Sequence, residues 1–142
     1  MRQITNTLLM IRPARFGYNE ETAESNSFQS MDDTPAEKIH QLALAEFDQT
    51  VAKLREHNIN VLVIDDTKEP HTPDAIFPNN WISTHENNIL ITYAMESPTR
   101  RLELREDILR KLEELYGYKK EYNFQHYIVE DGLALELSLI HI

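Results

Sequence analysis

At 142 residues, 41% hydrophobic and 27% charged, the chain has the apolar content of a folded domain with a real core, which argues against a disordered chain. Its 14 basic against 24 acidic residues leave a formal net charge of −10, which repels phosphate backbones and excludes the usual basic surface of a nucleic-acid binder. Without a cysteine, disulfides, thiolate metal sites and a cysteine nucleophile are excluded within these residues, and no apolar run is long enough for a membrane-spanning helix.

In chain order, Met1–Asn6 opens no signal-peptide pattern, so the expected setting is cytoplasmic. Thr7-Leu8-Leu9-Met10-Ile11 reads as a buried strand ended by Arg12-Pro13. Residues 12 to 33 hold no sustained period and read as a long loop. Loops of that length tend to be functional or disordered, which singles out Arg12, Phe16, Asn19, Asn26, Phe28 and Gln29; a mobile connector is the plainer alternative. Thr34-Pro35-Ala36-Glu37 then predicts a helix start, with Thr34 as N-cap and Pro35 at the first helical position. Ile39, Leu42, Ala43, Phe47, Val51 and Leu54 recur at helical spacing, and His57-Asn58 is the expected end. Val61–Ile64 predicts a strand buried on both faces, followed by a polar turn at Asp65–Pro70. His40, His57 and His71 show no metal-ligand spacing and are assigned to the surface or to helix ends, so no metal and no cofactor is expected.

Asp74-Ala75-Ile76-Phe77-Pro78-Asn79-Asn80-Trp81 is the stretch around which the rest is arranged. On residue types alone it is a structural turn carrying a core Trp, with the rim of a small-molecule site as the alternative. Trp81–His85 and Asn88–Tyr93 predict a hairpin turning at Glu86-Asn87. Ser97-Pro98 predicts the start of one long helix with Leu104, Ile108, Leu112 and Leu115 on its apolar side and Gly117 just past its end. Arg100 and Arg101 fall in its first turn, where the helix dipole disfavours cations; either they bind an anion or they are solvated, and Glu103 and Glu106 offset part of the charge. Tyr122–Val129 and Leu133–Leu135 read as two further strands around the turn Glu130-Asp131-Gly132. The order of elements is a mixed α/β module occurring twice, which suggests a pseudosymmetric fold.

Leu9–Asn19, Asn26-Ser27-Phe28-Gln29 and Asp74–Trp81 resemble the amidinotransferase-type branch of the guanidine-modifying superfamily, which contains arginine deiminases, dimethylargininases and glycine amidinotransferases. The resemblance covers residues 8 to 136 and is nearest to the citrulline-hydrolysing, arginine-deiminase-related members. It implies a pseudo-fivefold α/β propeller, of which this chain would hold about two of five modules. It also implies a cysteine thiolate that attacks a guanidinium or ureido carbon, a histidine that moves protons, and a covalent intermediate released by water or another nucleophile. The implied partner is a small amino-acid substrate.

By the same resemblance, Asp74 and Phe77 line the channel and Asn79 belongs to the amide rim. Asn80 stands where deiminases place an acid, Arg101 or Arg100 clamps the substrate carboxylate, and Glu136 orients the catalytic histidine. Facing a neutral urea, a buried carboxylate at position 80 would be desolvated without a partner, whereas an amide can both donate and accept; the expected substrate is therefore citrulline rather than arginine. The family's cysteine and its histidine segment have no counterpart here. Residues 1–136 are expected to be the N-terminal portion of such a domain, and Leu137–Ile142, which matches a translated frame of a sequencing adapter, a non-native tail. The contrasting expectation is a short non-catalytic α/β module that binds an amino acid or a protein.

Overall fold

The computed structural model describes residues 5–21, 34–130 and 132–134. They fall into two units, Met1–Phe77 and Pro78–Ile142, each with its own small sheet and its own buried apolar cluster.

In the first unit, β1 (Thr7–Arg12) and β2 (Asn60–Asp65) pair in parallel, from Thr7 opposite Asn60 to Arg12 opposite Asp65. Parallel neighbours cannot be joined by a tight turn, and the crossover here is α1 (Ala36–Glu56). Val61 and Ile64 point to opposite faces of β2 and both are buried, as expected for a strand covered on two sides. Ile11, Val51 and Ala75 complete this core. The helix begins one residue later than its sequence signals imply. Pro35 has an extended ψ of 134° and is the N-cap residue itself, its carbonyl accepting from the backbone N–H groups of Lys38 and Ile39. The C-terminal end is where the sequence puts it, at His57, with Asn58 turning the chain away at φ 61°. Of the helix's apolar stripe Val51 is buried, whereas Leu42 stays 54% exposed.

In the second unit a short 3-10 turn at Pro78–Asn80 leads into β3 (Ile82–His85), which pairs antiparallel with β4 (Ile89–Thr92). The hairpin is the expected one, turning through Glu86–Asn88 with Asn87 and Asn88 at φ 62° and 60°, a conformation asparagine tolerates better than most residues. β5 (Lys119–Asn123) adds in parallel on the other side of β4, with a bulge between Leu90 and Ile91. Trp81, Ile82, Leu90, Ala94, Met95, Ile108, Leu109 and Leu112 form the apolar cluster.

The structure corrects three expectations here. The single helix from Pro98 is two: α2 (Pro98–Arg101) is one turn long, and α3 (Glu106–Tyr116) restarts after Arg105, whose backbone is extended. Between them Glu103 is turned inward to 4% exposure, where its carboxylate meets Arg100. Gly117 ends α3 at φ 71°, as its sequence position implies. Tyr122–Val129 is not one strand either. The strand stops at Asn123, whose side-chain oxygen accepts the Gln125 backbone N–H at 3.1 Å, and α4 (His126–Glu130) follows. An asparagine that bonds the backbone two residues on offers the chain a turn in place of a ladder. Leu133 and Ala134 form no strand, and Leu135 lies outside the described residues.

Candidate functional site

The central stretch spans the boundary of the two units, so each half is built from its own surroundings. In the first unit Asp74 follows β2 after the Asp65–Pro70 turn and is 8% exposed. Its Oδ2 accepts from Asn19 Nδ2 at 2.7 Å, and Asn19 is itself buried at 3%. Asn19 Oδ1 accepts the backbone N–H of Glu21 at 3.1 Å. The loop after β1 and the loop after β2 are thus joined through a buried amide-carboxylate contact, and a second tie runs from His71 Nε2 to the carbonyl of Arg15 at 3.2 Å. Phe77, which the resemblance places at the channel, is 45% exposed, and its backbone N–H caps the turn on Asp74 at 3.0 Å.

Arg12, the first residue of the long loop by sequence, serves structure instead: its Nε and Nη2 fork onto both oxygens of Asp48 at 2.9 and 2.8 Å. This bidentate contact holds the Asp48 carboxyl below its ordinary range and Arg12 above its own. It ties the end of β1 to the middle of α1. Asn26, Phe28, Gln29 and Glu136 lie outside the described residues.

In the second unit Asn79 and Asn80 sit half-buried in the 3-10 turn after Pro78. Asn80 Oδ1 accepts from Arg100 Nη2 at 3.0 Å. Arg100 has only donors to offer, so the amide oxygen must face it, and the amide orientation is fixed by chemistry. Arg100 in turn is 8% exposed and forks onto Glu103 through Nε at 2.9 Å and Nη2 at 3.1 Å. The expectation that Glu103 offsets the arginine charge is met by direct contact. Arg101 has a different setting: it is exposed, with Nε donating to the Met95 carbonyl at 2.9 Å and Nη2 to the Glu96 carbonyl at 2.6 Å. The two arginines are thus neighbours in sequence with separate roles, one locked into a buried carboxylate-amide network and the other pinned along one edge at the surface.

Trp81 is 1% exposed, and its Nε1 has no hydrogen-bond partner among the described residues. Such a group costs about 1–3 kcal/mol of desolvation, so burial of the ring outweighs it. Among the described residues no three His, Asp or Glu side chains gather closely enough to hold a metal ion, and no helix is long and apolar enough to cross a membrane.

Sequence reasoning missed the Asn19–Asp74 contact and the inward turn of His40, whose Nδ1 accepts the Phe16 backbone N–H at 3.2 Å. Neither leaves a trace in local spacing, because the partners are 55 and 24 residues apart. The family model described as N,N dimethylarginine dimethylhydrolase, eukaryotic, matches residues 12–137. No curated protein and no solved structure matches the chain.

Proposed function

The chain belongs to the N,N-dimethylarginine dimethylhydrolase family, and from that premise we propose that it holds the substrate-binding part of a hydrolase cleaving a C–N bond of a ureido or guanidino amino acid, citrulline first. Asp74, Phe77, Asn79, Asn80 and Arg101 are the residues assigned to hold the substrate. Arg100 acts on the ligand indirectly, by setting the amide of Asn80. Glu136 orients a histidine that, like the attacking thiolate, comes from outside these 142 residues. The two strand-helix-strand units are two modules of a five-module propeller working in the cytoplasm.

The orientation of Asn80 carries the choice of substrate. With Oδ1 turned to Arg100, the amide meets whatever lies on its other side as a donor. A urea oxygen accepts from such a group; a guanidinium, all donors, would meet N–H with N–H. The family's namesake substrate is a dimethylated arginine, and the proposal departs from it on this point.

Calorimetry on the chain with citrulline, arginine and dimethylarginine tests the reading. Citrulline is expected to bind tightest, and Asn80→Asp to reverse the order by about tenfold, the size of one charge-assisted hydrogen bond. Tighter binding of either guanidino compound to the unsubstituted chain, or no heat with any of the three, would overturn it. The absence of cysteine favours a second reading, a non-catalytic amino-acid-binding module. That reading gains if the complete gene encodes no cysteine and histidine after this segment.

A further inference from the structure

The first unit contains a cleft of about 360 Å³ lined by Ala14, Arg15, Glu37, His40, Gln41 and Lys68. None of these residues belongs to the substrate-holding set. Its place follows from topology: Ala14 and Arg15 come just after β1, Lys68 just after β2, and Glu37, His40 and Gln41 come from the first turns of α1. The crevice beyond the carboxyl ends of parallel strands is where open α/β sheets take their ligands. The volume lies at the lower end of small-ligand pockets, roughly 300–1,000 Å³.

The charges lining the cleft narrow the ligand. Arg15 and Lys68 are exposed cations on separate loops, and neither side chain is engaged by a hydrogen bond or ion pair among the described residues, although acids outnumber bases by 24 to 14 in the chain. Of the acids beside Lys68 in sequence, Glu69 is exposed and does not line the cleft, Asp66 accepts from the Thr72 hydroxyl at 3.1 Å, and Asp65 lies in the field of Arg12. Two like charges facing one space repel, and an anion between them relieves this. The same cleft also presents a carboxylate, Glu37, held toward Gln41 by a 2.8 Å bond from Nε2 to Oε1. A bare polyanion would meet that carboxylate. His40 uses Nδ1 to accept from Phe16, so its neutral ring carries its proton on Nε2 and contributes a donor.

We propose that this cleft binds the zwitterionic head of a free α-amino acid, its carboxylate taken by Arg15 and Lys68 and its ammonium by Glu37. The contact needs no side-chain recognition, so the site responds to amino acids as a class.

The test follows the His40 ring protons by NMR in the 142-residue chain during titration with L-alanine, N-acetyl-L-alanine, L-alaninamide and inorganic phosphate. L-Alanine is expected to give a saturable shift in the millimolar range, with the three other probes about fivefold weaker or worse, the effect of one exposed charge pair. The double variant Arg15→Ala, Lys68→Ala should remove the L-alanine response. Glu37→Gln should bring it down to that of the N-acetyl compound. All three positions are exposed, so the fold is expected to survive these changes. No shift with L-alanine, an equal response to phosphate, or an unchanged response in the double variant would overturn the proposal. The readout is local to His40, so it stands or falls separately from the substrate order set by Asn80.

Discussion

Glu103 determines how Arg100 and Asn80 behave. An arginine buried to 8% needs a counter-charge, and the carboxylate three residues on provides it in a fork. Once that fork is made, Arg100 Nη2 also reaches Asn80 and fixes which end of the amide points away. Removing the carboxylate alone, as in Glu103→Ala, strands a buried cation and is expected to cost roughly 3–5 kcal/mol in urea unfolding. Removing both charges, with Arg100→Met and Glu103→Leu together, should recover most of that loss while removing the Arg100 contact to Asn80. Equal losses in the single and double variants would mean that the pair contributes packing and not charge compensation. Glu103 is legible as the acid that offsets the paired arginines, whereas the contact to Asn80 is not, because a contact across 20 residues leaves no periodic signature.

At the scale of elements, what was legible is what repeats locally. The apolar run of β1, the body and C-terminal end of α1, the hairpin and the glycine after α3 all follow from spacing and caps, and all are present. The failures fall where a side chain competed with the backbone or with solvent. Helical periodicity ran through Leu102–Arg105, yet burying Glu103 broke it. Alternation ran through Tyr122–Val129, yet the Asn123 side chain ended the strand.

Two elements are fastened by carboxylates whose pKa values are lowered. Arg12 holds Asp48 on α1, and Arg105 holds Asp107 in the first turn of α3 through contacts of 3.0 and 2.6 Å. A depressed native pKa contributes stability above the unfolded value, ~3.9 for aspartate, and that contribution disappears as pH falls through the lower native value. Thermal melts between pH 6 and pH 2 should therefore lose stability below about pH 4. Asp107→Asn should show a shallower loss, and because the Asp107 carboxylate is largely exposed the difference is expected to be well under about 1 kcal/mol. A steeper loss in the variant would contradict the assignment.

For the molecule as a whole, each unit carries one parallel strand-helix-strand crossover, β1-α1-β2 and β4-α2-α3-β5; that much of the doubled module is present, whereas no strand forms at Leu133 and Ala134 to close the second copy. Each also leaves large apolar side chains in water: Leu42 at 54% and Phe77 at 45% in the first, Leu115 at 55% and Leu102 at 49% in the second. Helix faces with such residues associate unless something covers them. Leu42→Lys with Leu115→Lys is expected to reduce light scattering at high concentration with a change in Tm of no more than a few degrees, since neither side chain is part of a core. A large drop in Tm would show that these positions are packed in solution.

The chain's only tryptophan is sealed into the Pro78–Ile142 unit at 1% exposure, and the Met1–Phe77 unit has none. Intrinsic emission excited at long wavelength therefore watches one half of the polypeptide and is blind to the other. Its dry indole should glow at the blue end and redden only when that half opens. A melt followed by this signal beside one followed by far-ultraviolet dichroism will tell whether the two halves come apart as one cooperative body or in turn.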